Sequence, residues 1–333
     1  MKQLIQKLTE TFSPSGYESP VRDVIRAEVA GLVDDMRVDA LGSLIAHKAP
    51  TIGKNPAKKI MIAAHMDEIG IIATHIDEKG FVRFGGIGGV YPRNLAGSRV
   101  RFANGTPGVI GYEPVEKFLE SQPLEKCYID VGASSNKNHP IKIGDVASFD
   151  RPFLDMGERL VAKSMDDRIG CVVAIEALRA LKSSPLDVYV VFTTQEEVGT
   201  RGAETSAFGI DPDLGFSIDV TGWGDTPAQK GFTMDLGKGP AIKIKDGGML
   251  SDPRIVNWMI RTAEKAKLPY QREVLPGGTT DARAMQLVRA GVPVGCISIP
   301  CRYVHSASEM VDYNDVQNAV KLIVALLSAP VEL

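Results

Sequence analysis

Residues able to bind a divalent cation recur in this chain at the ends of short apolar runs. Val188-Tyr-Val-Val-Phe-Thr-Thr stops abruptly at Gln195, Glu196 and Glu197. Ile60-Met-Ile-Ala-Ala64 stops at His65-Met-Asp67, and Leu160-Val-Ala-Lys163 at Ser164-Met-Asp166-Asp167. Asp219 sits near the end of Leu214-Gly-Phe-Ser-Ile-Asp-Val, and His305 follows the run Val292 to Pro300. Imidazole nitrogens and carboxylate oxygens are ligands for zinc, cobalt or manganese. No thiolate belongs to the set, which argues against a closed structural zinc site. Two ions sharing one bridging carboxylate are within its capacity.

Each residue has a plainer reading by itself. Glu196 and Glu197 could open a helix, where acids favour the dipole. Asp166 and Asp167 could cap the helix that follows. His65 and His305 could be ordinary core or loop histidines. Asp219 is harder to dismiss, because its neighbours are apolar and an ionised carboxylate there needs a partner. His47, His75 and His139 lie in polar or glycine-rich settings and are set aside. What favours chemistry is convergence: in an open α/β sheet, ligands bind in the crevice at the carboxyl ends of the strands. His65 and Asp67, two apart, can point to the same side, which lets Asp67 orient His65 from behind. Adjacent Glu196 and Glu197 point in different directions, so one can hold metal while the other faces its water.

The elements that must position these residues alternate. Strand-like runs at 60–64, 160–163, 188–194, 214–220 and 292–300 are interleaved with helical patterns near 168–181, 252–260, 282–289 and 313–327. Such alternation predicts a three-layer α/β/α domain. Ser19-Pro20 reads as an N-cap and first-turn proline for an early helix. Pro50 to Lys59 reads as a polar loop. Between Gly80 and Gly111 the pattern changes: nine glycines break any helical period, leaving short alternating pieces. These suggest a small β-barrel or sandwich. We therefore expect a discontinuous α/β catalytic domain, residues 1–67 and 156–333, with a β-rich insertion at 68–155.

Composition fits a globular chain: 333 residues, 44% hydrophobic and 24% charged. The net charge of -3 implies no basic face, so nucleic acid and anionic membrane are not expected partners. No apolar run approaches membrane-spanning length. Cys127, Cys171, Cys296 and Cys301 form no Cys-x-x-Cys pair and read as small buried hydrophobes in a reducing, cytoplasmic setting.

At this point the sequence resembles the cytosolic metallo-aminopeptidases that include the tetrahedral TET peptidases and bacterial glutamyl aminopeptidases, metallopeptidase family forty-two. The resemblance rests on Ala64-His-Met-Asp-Glu-Ile-Gly70, Ser164-Met-Asp-Asp-Arg-Ile-Gly170 and Thr194-Gln-Glu-Glu-Val-Gly199. Ser217-Ile-Asp-Val220, Gly277-Gly-Thr-Thr-Asp-Ala282 and Arg302-Tyr-Val-His-Ser306 add to it. It implies two divalent metal ions, zinc or cobalt first and manganese next. Asp166 would bridge them, with His65 and Asp219 completing one site and Glu197 and His305 the other. Glu196 would be the general base, Asp67 would orient His65, and a bridging hydroxide would attack the first peptide bond. The insertion would be the dimerisation domain of a dodecamer of six dimers. Thr279-Thr280 departs from the single Thr of many relatives and bears on local pocket shape.

The leading reading is thus a two-metal aminopeptidase acting on peptides. A metal-dependent deacylase of N-acyl amino acids would use the same ligands. A glucanase using paired carboxylates would not need His65 and His305. Arg168 and Arg302 are candidates for gripping an acidic side chain, with a structural role as the alternative.

Overall fold

The computed structural model describes residues 1–53, 57–114, 123–229 and 231–333. Part of the expected Pro50 to Lys59 loop, residues 54–56, lies outside them, as does 115–122 within the insertion. The chain opens with α1 (Lys2–Glu10) and α2 (Ser19–Val29), then β1 (Asp35–Val38), β2 (Leu44–Lys48) and β3 (Lys59–His65). Six strands follow: β4 (Gly70–Ile76), β5 (Val82–Ile87), β6 (Arg99–Phe102), β7 (Pro107–Tyr112), β8 (Cys127–Asp130) and β9 (Val146–Phe149). They close into a barrel in the order β4-β5-β8-β7-β6-β9. The chain then returns through β10 (Leu154–Asp155), β11 (Arg159–Ala162), α3 (Met165–Ala180), β12 (Asp187–Thr193), α4 (Arg201–Ile210) and β13 (Leu214–Thr221). It ends with β14 (Ala241–Lys245), α5 (Pro253–Lys265), β15 (Gln271–Val274), α6 (Asp281–Gln286), β16 (Val294–Arg302), β17 (Glu309–Asp312) and α7 (Tyr313–Leu327).

The large sheet has eleven strands, with β1-β2-β12-β3-β13-β16-β17-β11-β10 as its main path. At its centre β12, β3, β13 and β16 are mutually parallel. Parallel strands covered on both faces read as continuous apolar runs, and all eight residues of β13 are buried. Successive residues of β3 face opposite ways, and the alternation makes the three layers. Ile60, Ile62 and Ala64 join the core shared with α1, α2, α3, α5 and α7. Met61 and Ala63 join a second core with residues of α4 and α6. The barrel keeps a separate core of its own, including Ile71, Val82, Phe102 and Ile129.

Two local expectations are corrected. Ser19 is the first helical residue of α2, not its cap, and Pro20 takes the first-turn position. The carboxylate of Glu18, just before the helix, accepts from the amides of Gly16 at 2.7 Å and Gln195 at 3.1 Å. That second bond ties the N-terminal turn to the end of β12. The run Gly70–Ile76 forms β4, a strand the sequence pattern leaves unmarked. By contrast, Asp252 caps α5 through the amide of Arg254, and α7 begins and ends where its periodicity does.

Candidate metal centre

The carboxyl ends of the parallel strands bring the polar residues into one crevice. Thr193 of β12 lies in register with His65 of β3, so the 195–197 turn emerges beside that histidine. Asp219 is near the end of β13, in register with Ser298 of β16. Asp166 and Asp167 precede the regular part of α3 at non-helical backbone angles. His305 lies in the turn between β16 and β17.

Asp166 lies between the histidines. Its Oδ1 is 3.0 Å from His65 Nε2, and its Oδ2 is 3.3 Å from His305 Nε2. Glu197 Oε2 is also 3.3 Å from His305 Nε2. His65, Asp167 and Asp219 form a second close group, with ligand atoms within 4.8 Å of one another. His65, Asp166 and Glu197 meet the same limit. Glu196 Oε2 is 3.9 Å from His65 Nε2.

Asp67 does more than face His65. The His65 Nδ1 is 3.5 Å from its carboxylate and 3.2 Å from its backbone carbonyl. The same carboxylate accepts from the amides of Glu196 at 3.1 Å and Glu197 at 3.2 Å, and from Ser15 Oγ at 2.6 Å. One buried side chain thereby fixes β3 against the end of β12.

Asp167 caps α3 by accepting from the Gly170 amide at 3.0 Å. Its other oxygen, Oδ2, and Glu197 Oε1 are buried without a hydrogen-bond partner among the described residues. Orphaned carboxylate oxygens cost free energy. Beside imidazole nitrogens they form a donor set of nitrogen and oxygen that fits a divalent cation.

The electrostatics follow from crowding. Burial, reinforced by neighbouring carboxylates, pushes Asp167, Asp219 and Glu196 well above the usual carboxylate range. Burial likewise raises Glu197 to about 7 and Glu309 to about 8. Burial pulls the histidines down, but the surrounding carboxylates outweigh it: His65 rises well above its ordinary value and His305 to about 10. Asp166 goes the other way, held low by the two histidines despite its burial.

A cavity of about 1020 Å³ opens over the cluster. Trp223, Phe232 and Tyr303 give it an apolar side, and the barrel supplies Gly89, Tyr91 and Asn94. The barrel approaches closely. Tyr91 stacks on His305 at 5.7 Å between ring centroids, and Asn94 Nδ2 donates to the His305 carbonyl at 3.1 Å. A Cβ at Gly89 would overlap the His305 ring.

The arginines have other work. Arg168 is fully buried and donates to the carbonyls of Leu8 at 2.6 Å and Thr11 at 3.1 Å. Arg302 grips Asp225 with two bonds, at 2.8 and 2.6 Å. Neither guanidinium is free to take a substrate acid. The histidines set aside are engaged elsewhere: His47 pairs with Asp187 at 2.6 Å, and His139 meets backbone carbonyls. His75 stands exposed on β4. Residues that sequence reasoning passed over are Ser15, Glu18, Glu309 and the buried Asp281, which accepts from Thr193 Oγ1. The Gly277–Ala282 motif was the one available signal for Asp281.

The chain combines a three-layer α/β domain and an inserted barrel with a buried nitrogen and oxygen donor set that fits a divalent cation. The family model for M42 glutamyl aminopeptidase matches residues 42–322, and the chain belongs to that family. It is therefore a peptide hydrolase. The lysyl aminopeptidase of Pyrococcus furiosus is 37% identical over 341 residues, spanning 98% of this chain and 96% of the relative. Aminopeptidase APDkam598 of the archaeon Desulfurococcus kamchatkensis superposes with a TM-score of 0.93 at 43% identity, covering 98% of this chain and 94% of its own. The TET1 peptidase of Pyrococcus horikoshii, which can assemble into a tetrahedron or a large octahedral shell, gives 0.87 at 33% identity, covering 98% and 99%.

The raised values have a consequence for metal-free protein. Glu197 moves from 4.5 to about 7, Glu309 from 4.5 to about 8, and His305 from 6.5 to about 10. Across these windows the folded state binds more protons than the unfolded chain, so its stability falls as pH rises. The melting temperature of metal-free protein should drop between about pH 5 and pH 9. A divalent cation that displaced the protons of Glu197 and His305 should flatten the decline. Thermal melts across that range, with and without metal, check both; a metal-free melting temperature that rises with pH would contradict the reading.

Proposed function

We propose that this chain is a two-metal aminopeptidase that removes N-terminal residues from peptides. The observation that carries the reading is Asp166, one carboxylate facing both His65 and His305. It suits a shared ligand, with His65 and Asp219 on one side and Glu197 and His305 on the other. Zinc and cobalt are the first candidates, manganese the next. Two divalent ions held there would supply Lewis acidity toward a carbonyl and acidify water.

The chain's own residues complete the chemistry. Glu196 is the general base: its carboxyl, raised by burial and by Asp219, is suited to take a proton from water. As the carbon–nitrogen bond breaks, the same carboxyl returns the proton to the leaving amine. Asp67 holds the Glu196 amide and the His65 ring in one frame, so base and ligand keep a fixed separation. The carboxylate-rich floor favours a substrate bearing a free, basic α-amine. The large cavity above accepts the side chain and the rest of the peptide.

We assign residues 1–67 and 156–333 to catalysis and 68–155 to self-assembly, in a dodecamer of six dimers within the cytoplasm. The tetrahedral assembly of the similar TET1 peptidase supports this, as do Val109 and Ile143 of the insertion, 48% and 68% exposed. Four free, buried cysteines suit a reducing compartment. Among the described residues no helix is long and apolar enough to cross a membrane.

Three outcomes are expected. Glu196→Gln should retain both metals yet lose on the order of 10²–10⁴-fold in turnover, the usual scale of general-base catalysis. Near-wild-type kcat would remove Glu196 from that role. Replacing residues 68–155 with a short linker should reduce the mass seen by light scattering; an unchanged mass would place the assembly surface elsewhere. The central test is mass spectrometry of one peptide, free and N-acetylated, incubated side by side. The free peptide should shorten one residue at a time while the acetylated one persists. Internal cleavage, or release of acetate first, would make the enzyme an endopeptidase or a deacylase.

A further inference from the structure

Glu309 touches the proposed ligands without being one of them. It opens β17 in register with Ala162 of β11, the strand that leads to Asp166. Its side chain is buried, and both carboxylate oxygens are spent on backbone amides. Oε1 accepts from the His305 amide at 2.7 Å, and Oε2 accepts from the Asp166 amide at 3.0 Å. One carboxylate thus joins two segments that sequence places 139 residues apart, from 166 to 305.

The His305 backbone needs such a hold. Its φ is +62°, and that of Tyr303 is +63°, in the left-handed region that side-chain-bearing residues rarely adopt. The segment is pinned from two directions. Glu309 takes the His305 amide, and Asn94 of the barrel donates to its carbonyl. The imidazole is aimed at Asp166 and Glu197 only while that backbone conformation lasts.

We infer that Glu309 is a positioning residue that aligns Asp166 with His305, and so sets the metal affinity of the Asp166–Glu197–His305 side more than that of the His65–Asp219 side. The inference rests on the two-metal reading above. Its basis is geometric: both amides held by Glu309 belong to the first group, and only the shared Asp166 belongs to the second. A glutamine of the same shape offers one acceptor oxygen. Its –NH₂ would oppose the second amide, so one of the two bonds is lost.

The test is a cobalt(II) titration of metal-depleted protein, followed by visible absorption and by competition with a chelator. Wild type should take up two equivalents. In Glu309→Gln the two should separate, one weakening roughly 10–100-fold, the usual effect of removing a partner that orients a ligand. The other equivalent should keep its affinity, while the lost buried bond lowers the melting temperature of metal-free protein modestly. Two unchanged affinities would overturn the inference. So would an equal loss at both sites, which would mark Glu309 as a purely structural residue. Glu309→Asp withdraws the carboxylate by one methylene and should show the same split, so the result does not hang on one variant. If wild type takes up a single equivalent, the two-metal reading fails. The affinity change at that one equivalent in Glu309→Gln would still decide the positioning role.

Discussion

The constraint on which the rest depends is the concentration of carboxylates at one sheet edge. Asp67, Asp166, Asp167, Asp219, Asp281 and Glu309 are all buried, and Glu196 and Glu197 are nearly so, around the imidazoles of His65 and His305. Burying anions without compensation is costly. Two buried lysines nearby are paired with other carboxylates. Lys163 pairs with Glu68 at 2.7 Å, with Arg168 behind it at 3.6 Å, and Lys243 lies 3.2 Å from Glu273. The protein therefore meets part of the demand with backbone amides: those of Glu196 and Glu197 to Asp67, of Gly170 to Asp167, and of His305 and Asp166 to Glu309. Among the described residues, Asp167 Oδ2, Glu197 Oε1 and Asp281 Oδ1 of this cluster remain without a hydrogen-bond partner. A divalent cation is the natural complement of that remainder.

Amide-based compensation also explains which parts of the site were legible. His65, Asp166, Glu197, Asp219 and His305 stand at the ends of apolar runs, and a strand end is visible as a change in residue character. Glu309 and Glu18 act by accepting backbone N–H groups from distant segments, and such bonds leave no trace in residue type or spacing. Ser15 reaches Asp67 through its hydroxyl, and a serine in a Pro/Gly-bearing turn looks like any other turn serine. The fold divides in the same way. The buried runs of β3, β12 and β13 are mostly apolar, as covered parallel strands tend to be, and the period of α7 survives over four turns. In β4 the exposed Thr74 and His75 adjoin a bulge in the pairing with β5, which blurs the alternation a strand detector needs. Arg168 and Arg302 were ambiguous because a guanidinium shows its partner only in space.

The barrel bears directly on the catalytic crevice. Its first strand starts three residues after Asp67, so the insertion leaves the sheet at the very edge where the polar cluster forms. The turn after β5 then comes back over the cluster. Gly88, at φ +74°, leaves only 3.0 Å between a would-be Cβ and Glu197. Gly89 has no room for a side chain beside His305. Glycine at both positions is what lets the barrel's backbone pack directly against the two residues assigned to one metal. Tyr91 and Asn94 continue the contact along the ring and backbone of His305.

This close approach changes the electrostatics. A charged group shielded from water interacts more strongly with its neighbours, because the surrounding dielectric falls. The barrel's Gly88 and Gly89 lie directly against Glu197 and His305, and Gly89, Tyr91 and Asn94 line the cavity beside them. The sheet positions the clustered carboxylates, backbone amides hold them against their mutual repulsion, and the barrel's backbone packs against Glu197 and His305. A shift of the barrel relative to the sheet would therefore act first on His305, which meets Gly89, Tyr91 and Asn94 of the insertion and has a backbone held in an uncommon conformation. That places the geometry of the centre under the influence of whatever fixes the barrel's position.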